Sequence, residues 1–109
     1  MGCSLPPVDR VKIVGWNCNS LGIYASQVKF INKIRKMEGD IFVLCDTRLS
    51  PSDEGPFKNL WGETSLFNSH SGDRRGIAVL IRDGTPIENI DFQNIIKGNF
   101  SKLTFNLKN

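Results

Sequence analysis

Oxygen-bearing side chains stand directly behind two apolar runs of this chain. Asn17 and Asn19 follow Val11–Trp16, in which Val11, Ile13 and Val14 are β-branched, and Asp46 follows Ile41–Cys45. The β-branched run predicts a strand, and the continuous apolar run predicts a strand buried on both faces. A helical pattern separates them. A strand-helix-strand crossover makes the two strands parallel and adjacent. Asn17, Asn19 and Asp46 would then leave the same sheet edge, where open α/β sheets bind ligands. A carboxylate beside carboxamide oxygens there suits a hard cation, Mg²⁺ or Mn²⁺. Taken singly, each residue has a simpler role: an Asn after a strand makes a turn, and Asp46 before Thr47 caps a helix start. Spacing alone favours those simpler roles. Only the joint arrangement makes a metal site competitive.

Cations stand close by. Arg48 either holds a phosphate bidentately or pairs with Asp46, and Arg74-Arg75 either meets phosphates or forms a solvated turn with Asp73. His70, the single histidine, lies in Ser69-His70-Ser71-Gly72, a context of solvated surface rather than of a general base. Trp61 and Phe57 are expected in the core, not as base-stacking platforms. There is no phosphate-cradling Gly loop and no Ser-His-Asp order.

The elements that must position these groups follow from periodicity. Ala25–Met37 reads as a helix: Val28, Ile31, Ile34 and Met37 recur at helical spacing, Phe30 widens the stripe, and Lys29, Lys33 and Lys36 fall on other faces. Gly39 is the expected C-terminal cap. Pro51–Gly55 reads as a loop, Phe57–Trp61 as a turn of helix and Ser65–Asn68 as a strand. A polar loop over Ser69–Arg75 precedes a strand over Gly76–Arg82 and a turn at Asp83-Gly84. Ile87–Ile90 is strand or loop. Phe100–Leu107 alternates Leu103, Phe105 and Leu107 with polar residues, as a half-buried strand does. The order implies an α/β (α+β) domain over residues 11–109, after a flexible lead-in over residues 1–10 containing Pro6-Pro7. The final strand runs into Lys108-Asn109, so truncation of the domain is expected.

The totals narrow the function classes. With 39% hydrophobic and 23% charged residues in 109, the chain has globular composition. A net charge of +3 permits a polyanionic partner without demanding one. Cys3, Cys18 and Cys45 match no zinc spacing. Cys18 and Cys45 adjoin apolar runs and are expected as buried, reduced thiols, which places the protein inside the cell, in cytoplasm or nucleus. No run approaches the ~20 apolar residues of a membrane span, so no membrane partner is expected. Met1-Gly2-Cys3 hints at acylation, although Pro6 departs from the myristoylation pattern. Asn99-Phe100-Ser101 is a glycosylation sequon, irrelevant to an unsecreted protein.

Three strings, taken together, resemble the endonuclease/exonuclease/phosphatase superfamily. Trp16-Asn17-Cys18-Asn19-Ser20-Leu21 resembles its first motif. Asp46-Thr47-Arg48-Leu49 resembles its second, and Arg75-Gly76-Ile77-Ala78-Val79-Leu80-Ile81 the strand that comes next. Order and spacing agree over about residues 11 to 107. Within the superfamily, the short lead-in and Asp-Thr-Arg-Leu look most like endonucleases of LINE-type retrotransposons, which nick DNA upstream of a reverse transcriptase. The resemblance implies half of a four-layer αββα sandwich. It also implies Asn17 as a metal-shell and phosphate residue, Asn19 close behind it, and Asp46 at the metal carboxylate. Asp46 stands where the family has Glu, Ser20 where it has Gly, and Cys45 where it has Gln. The later motifs, with their Tyr, Asp-x-Asn and Ser-Asp-His, are absent from the sequence, and His70 does not match the family's His.

The chain so read is the first half of a Mg²⁺- or Mn²⁺-dependent DNA endonuclease, inactive alone. Its site residues are Asn17, Asn19 and Asp46, with Arg48, Arg74 and Arg75 as phosphate contacts. The competing readings are a phosphatase or RNase of the same fold, and a non-catalytic remnant or small interaction domain. Half a sandwich would also leave Ile77, Val79, Leu103 and Phe105 partly exposed.

Overall fold

The computed structural model describes residues 10–108, and the acylation motif, Cys3 and most of the lead-in lie outside them. β1 (Ile13–Asn17) and β2 (Ile41–Cys45) are the apolar runs expected as strands, and they pair in parallel with Asn17 opposite Cys45. α1 (Tyr24–Arg35) makes the crossover. α2 (Pro51–Trp61), β3 (Thr64–Asn68) and β4 (Ile77–Ile81) follow, and β4 inserts antiparallel between β2 and β3 to give the order β1-β2-β4-β3. β5 (Ile87–Ile96) and β6 (Phe100–Leu107) form a second, two-stranded antiparallel sheet. The fold is the mixed α/β class expected, in the layering of a sandwich fragment. Among the described residues no helix is long and apolar enough to cross a membrane.

One face of the four-stranded sheet carries the helices. Phe30, Ile31 and Ile34 of α1 and Phe57 and Trp61 of α2 bury against Phe42, Leu44, Ala78 and Leu80 of the central strands. Edge-to-face contacts join Phe42 to Trp61 and Phe57 to Phe67. Trp61 and Phe57 are thus core, as the sequence implies. Gly39 is not the cap of α1, which ends at Lys36. Arg82 closes that end instead, donating to Ile34 O at 2.9 Å, Met37 O at 2.7 Å and Gly39 O at 2.8 Å. A Cβ at Gly39 would stand 2.9 Å from Val14 Cγ2, so this glycine serves close packing.

Pro51–Gly55 is helix rather than loop. The start was legible: Ser50 precedes Pro51 at the first helical position, and Asp53 Oδ2 accepts the Ser50 N–H at 2.9 Å. Gly55-Pro56 inside the helix disguised it.

The other face is covered by the β5–β6 hairpin. Phe92, Leu103 and Phe105 pack on Ile41, Val79 and Ile81. Val79 is therefore buried, against the expected exposure, and Ile77, Leu103 and Phe105 are half-buried. The hairpin does not reach β1, so Ile13 is 57% exposed, and Ile95, Ile96 and Phe100 near its own turn are also open. Ile87–Ile90, ambiguous in sequence, is strand.

Candidate functional site

Three loops meet beyond the C-terminal ends of β1 and β2. Parallel pairing continues past the strands: Cys18 N–H donates to Cys45 O at 2.8 Å, Ser20 N–H to Asp46 O at 3.0 Å and Leu21 N–H to Thr47 O at 2.6 Å. The loop before β4 joins on the other side, with Thr47 N–H donating to Gly76 O at 3.2 Å and Arg48 N–H to Arg75 O at 2.7 Å. Asn17, Asn19 and Asp46 therefore do leave one sheet edge, and Arg48 and Arg75 share it. Arg74 sits exposed in the adjacent loop.

Backbone conformation concentrates there too. Asn19, Ser20, Asp46, Arg48 and Arg75 have φ of 51°, 91°, 53°, 55° and 62°. Non-glycine residues in the left-handed region each cost of order 1–3 kcal/mol and cluster where surrounding structure over-determines them. Here the inter-loop hydrogen bonds do so.

The side chains are already engaged. Asn17 Oδ1 accepts the Asn19 N–H at 3.2 Å, the turn role open to an Asn after a strand. Arg48 straddles Asp46, with Nε 3.2 Å from Oδ1 and Nη2 3.3 Å from Oδ2. Of its two sequence readings, Arg48 thus takes the pairing one. Asp46 is half-buried and Asn17 and Asn19 are exposed. A cleft of about 310 Å³ lies alongside, lined by Cys45, Asp46, Arg75, Gly76, Ile77, Gly98 and Asn99.

This donor set accommodates a hard cation in one way only. Among the described residues no cluster of three His, Cys, Asp or Glu side chains occurs. Mg²⁺, however, binds through one or two carboxylates and keeps several waters. Each Asp46 oxygen accepts one guanidinium N–H and retains a further lone pair. The Asp46 carboxylate alone thus fits a water-rich, single-carboxylate cation site, and Asn17, at the end of the paired strand, keeps a carboxamide lone pair beyond the one that accepts the Asn19 N–H.

Several residues that build the edge carried no chemical signal in sequence. Thr47 is fully buried at the junction of the loops, and its Oγ1 accepts the Leu49 N–H at 3.3 Å. Gly76 has φ of 106°, and a Cβ there would stand 2.5 Å from Thr47 Oγ1. Gln27, buried on α1, donates to Leu21 O at 2.8 Å and ties the first loop to the helix. Asn68 is buried and clamps the β5–β6 turn: Nδ2 donates to Ile96 O at 3.0 Å and Ser101 Oγ at 2.8 Å, and Oδ1 accepts the Gly98 N–H at 2.7 Å. Gly76 N–H then donates to Gly98 O at 2.8 Å, so the hairpin turn braces the site loop. A buried Gln on an apolar face and an Asn closing a strand were the only available hints.

The cysteines divide. Both Cys18 and Cys45 are free thiols. Cys18 packs against the helix-side core, and burial, followed by the nearby Cys45 and Asp46, pushes its thiol up to about 12. Cys45 is exposed rather than buried: it shares the hairpin-side face of β2 with Ile41 and Val43, but it ends the strand and lines the open cleft beside Asp46. His70 Nδ1 lies 3.0 Å from Ser71 Oγ in the Ser69–Arg75 loop and lines no part of the cleft. No protein-family model and no curated protein matches this chain.

Proposed function

We propose that this edge is the first half of a metal-dependent phosphodiesterase site acting on DNA. The observation that carries the reading is the convergence of Asp46, Asn17 and Asn19 on paired parallel strand ends, with Arg75 beside Asp46 in the adjoining cleft. Asp46 and the Asn17 carboxamide would hold Mg²⁺ or Mn²⁺, with Asn19 behind them. The bound cation would supply charge stabilisation for a phosphodiester oxygen. Arg75 and Arg74, both exposed, would meet the phosphates flanking it, and Arg48 orients the Asp46 carboxylate. The water-activating base and the remaining ligands are not among these residues, so a further segment, in the LINE-type reading one upstream of a reverse transcriptase, would complete the site. An intracellular location and a DNA partner belong to the same reading.

The Arg48–Asp46 pair favours one rival, in which the loop is purely structural and the chain a non-catalytic interaction domain. Paramagnetic broadening by Mn²⁺ decides between them. Amide signals of Asn17–Leu21 and Cys45–Arg48 should broaden first, Asp46→Ala should abolish the effect, and Asp46→Glu should keep it. Broadening that is scattered, or unchanged in Asp46→Ala, would leave the structural role standing.

A further inference from the structure

Apart from Arg35, the cations of α1 pair with no acidic side chain among the described residues. Its twelve residues include no acid in the first turn, whereas α2 opens with Asp53 and Glu54. Arg35 is engaged, pairing with Glu63 at 3.3 Å and bonding the Leu60 carbonyl at 3.1 Å. Lys29 and Lys33 are exposed, one helical turn apart, and among the described residues neither has an acidic partner within ion-pair distance. Between them and β1 runs a groove of about 340 Å³ lined by Trp16, Leu21, Ser26, Lys29, Phe30 and Lys33. Its floor is aromatic: Trp16 and Phe30 meet edge-to-face at 5.9 Å, and the Lys33 ammonium lies 5.1 Å from the Trp16 ring centre. Among the described residues β1 is an edge strand, and none of the described strands covers Trp16 from that side.

An aromatic floor under paired cations is how single-stranded nucleic acid is held without sequence preference, by a base on a ring and phosphates on lysines. A duplex keeps its base faces stacked and offers only phosphates. An acidic peptide would satisfy the lysines and leave the ring unused. We propose that this groove binds a single-stranded nucleic-acid segment, with a base against Trp16 and flanking phosphates on Lys29 and Lys33. The site is separate from the Asp46 edge and shares with it only the polyanionic partner. Leu21 links them in space, since it lines the groove and its N–H bonds the Asp46 loop at Thr47 O.

The test is binding of a short labelled oligo-dT strand to the whole chain across a salt series. Lys29→Gln with Lys33→Gln changes two exposed side chains, so folding is preserved. Two lost phosphate contacts should lower the salt slope by about 1.4 and weaken binding roughly 25-fold at about 0.1 M salt. Tryptophan emission gives a second readout, because Trp61 is fully buried and Trp16 alone can be quenched. Quenching should disappear in Trp16→Phe. Unchanged affinity and slope in the double lysine variant would overturn the proposal, as would equal competition by duplex DNA or by an acidic peptide. If Arg74→Gln with Arg75→Gln abolishes binding while the lysine variant does not, the groove fails and the edge reading survives. If only the lysine variant loses binding and Mn²⁺ broadens nothing at Asp46, the groove stands and the edge reading fails.

Discussion

Replacing Gly76 with Ala should open the candidate site from behind. At φ 106° an added Cβ meets backbone strain of order 1–3 kcal/mol. It would also stand 2.5 Å from Thr47 Oγ1, an atom of a fully buried side chain, and 3.4 Å from Arg48 N. Relief requires the Gly76 backbone to move away from Thr47. That strains two hydrogen bonds, Thr47 N–H to Gly76 O and Gly76 N–H to Gly98 O. At about 1 kcal/mol each, their loss adds about 2 kcal/mol to the strain. Gly84 provides the comparison: its φ is 86°, and an added Cβ would meet nothing within 4 Å. Gly84→Ala should therefore show the conformational cost alone. Urea unfolding should place Gly76→Ala about 2 kcal/mol below Gly84→Ala, with amide shifts at Thr47, Arg48 and Gly98 in the former. Thr47→Ala should recover part of the Gly76→Ala loss by removing Oγ1, a coupling that a double-mutant cycle measures. Equal destabilisation at the two glycines would refute the argument that Gly76 keys the site loop.

Asn68→Ala leaves the buried Gly98 N–H without its partner and frees the hairpin turn; about 3 kcal/mol should be lost, with faster hydrogen exchange over β5 and β6. Equal exchange in mutant and parent would show that apolar packing alone holds the hairpin. In a Cys3→Ser background, Cys45 should alkylate readily in the native state and Cys18 slowly, and mass mapping of the labelled chain would show the reverse if the exposures are wrong. Burial, then Cys45 and Asp46, raise the folded Cys18 thiol to about 12, above an unfolded value near ~8.5. The fold therefore favours the neutral thiol. That stability is fully present below the unfolded value and is lost as pH rises toward the folded one. Urea midpoints of the parent should fall across that alkaline window more steeply than those of Cys18→Ala, and parallel curves would contradict the burial effect. In an intact enzyme carrying this edge, Asp46→Ala should nearly abolish turnover per folded molecule while Asp46→Glu retains it. A purely structural Asp46 would cost only stability, on the order of 1 kcal/mol or less for the lost, partly exposed Arg48 pair.

Much of the fold was legible because its elements bury themselves locally. Ile41–Cys45 is apolar throughout and became a central strand flanked on both sides, and the helical spacing of Phe30, Ile31 and Ile34 sufficed to place α1 on the sheet. The crossover rule then brought Asn17, Asn19 and Asp46 to one edge, since parallel neighbours end together. What the sequence by itself determined is this placement of elements and of their ends. Gly55-Pro56 hid a helix whose start lay in Ser50 and Asp53, because local breakers weigh more in a linear reading than a cap. Only the tertiary structure decided how the edge is engaged. Arg48 folds back on Asp46, Gly76 admits Thr47, and Asn68 reaches across the chain to Gly98. The same holds for exposure. Val79 is covered because the hairpin lies over the central strands, and Cys45 is open because it ends β2 at the cleft beside Asp46. Alternation along a strand says which residues share a face, but the reach of the layer above decides which of them meet water.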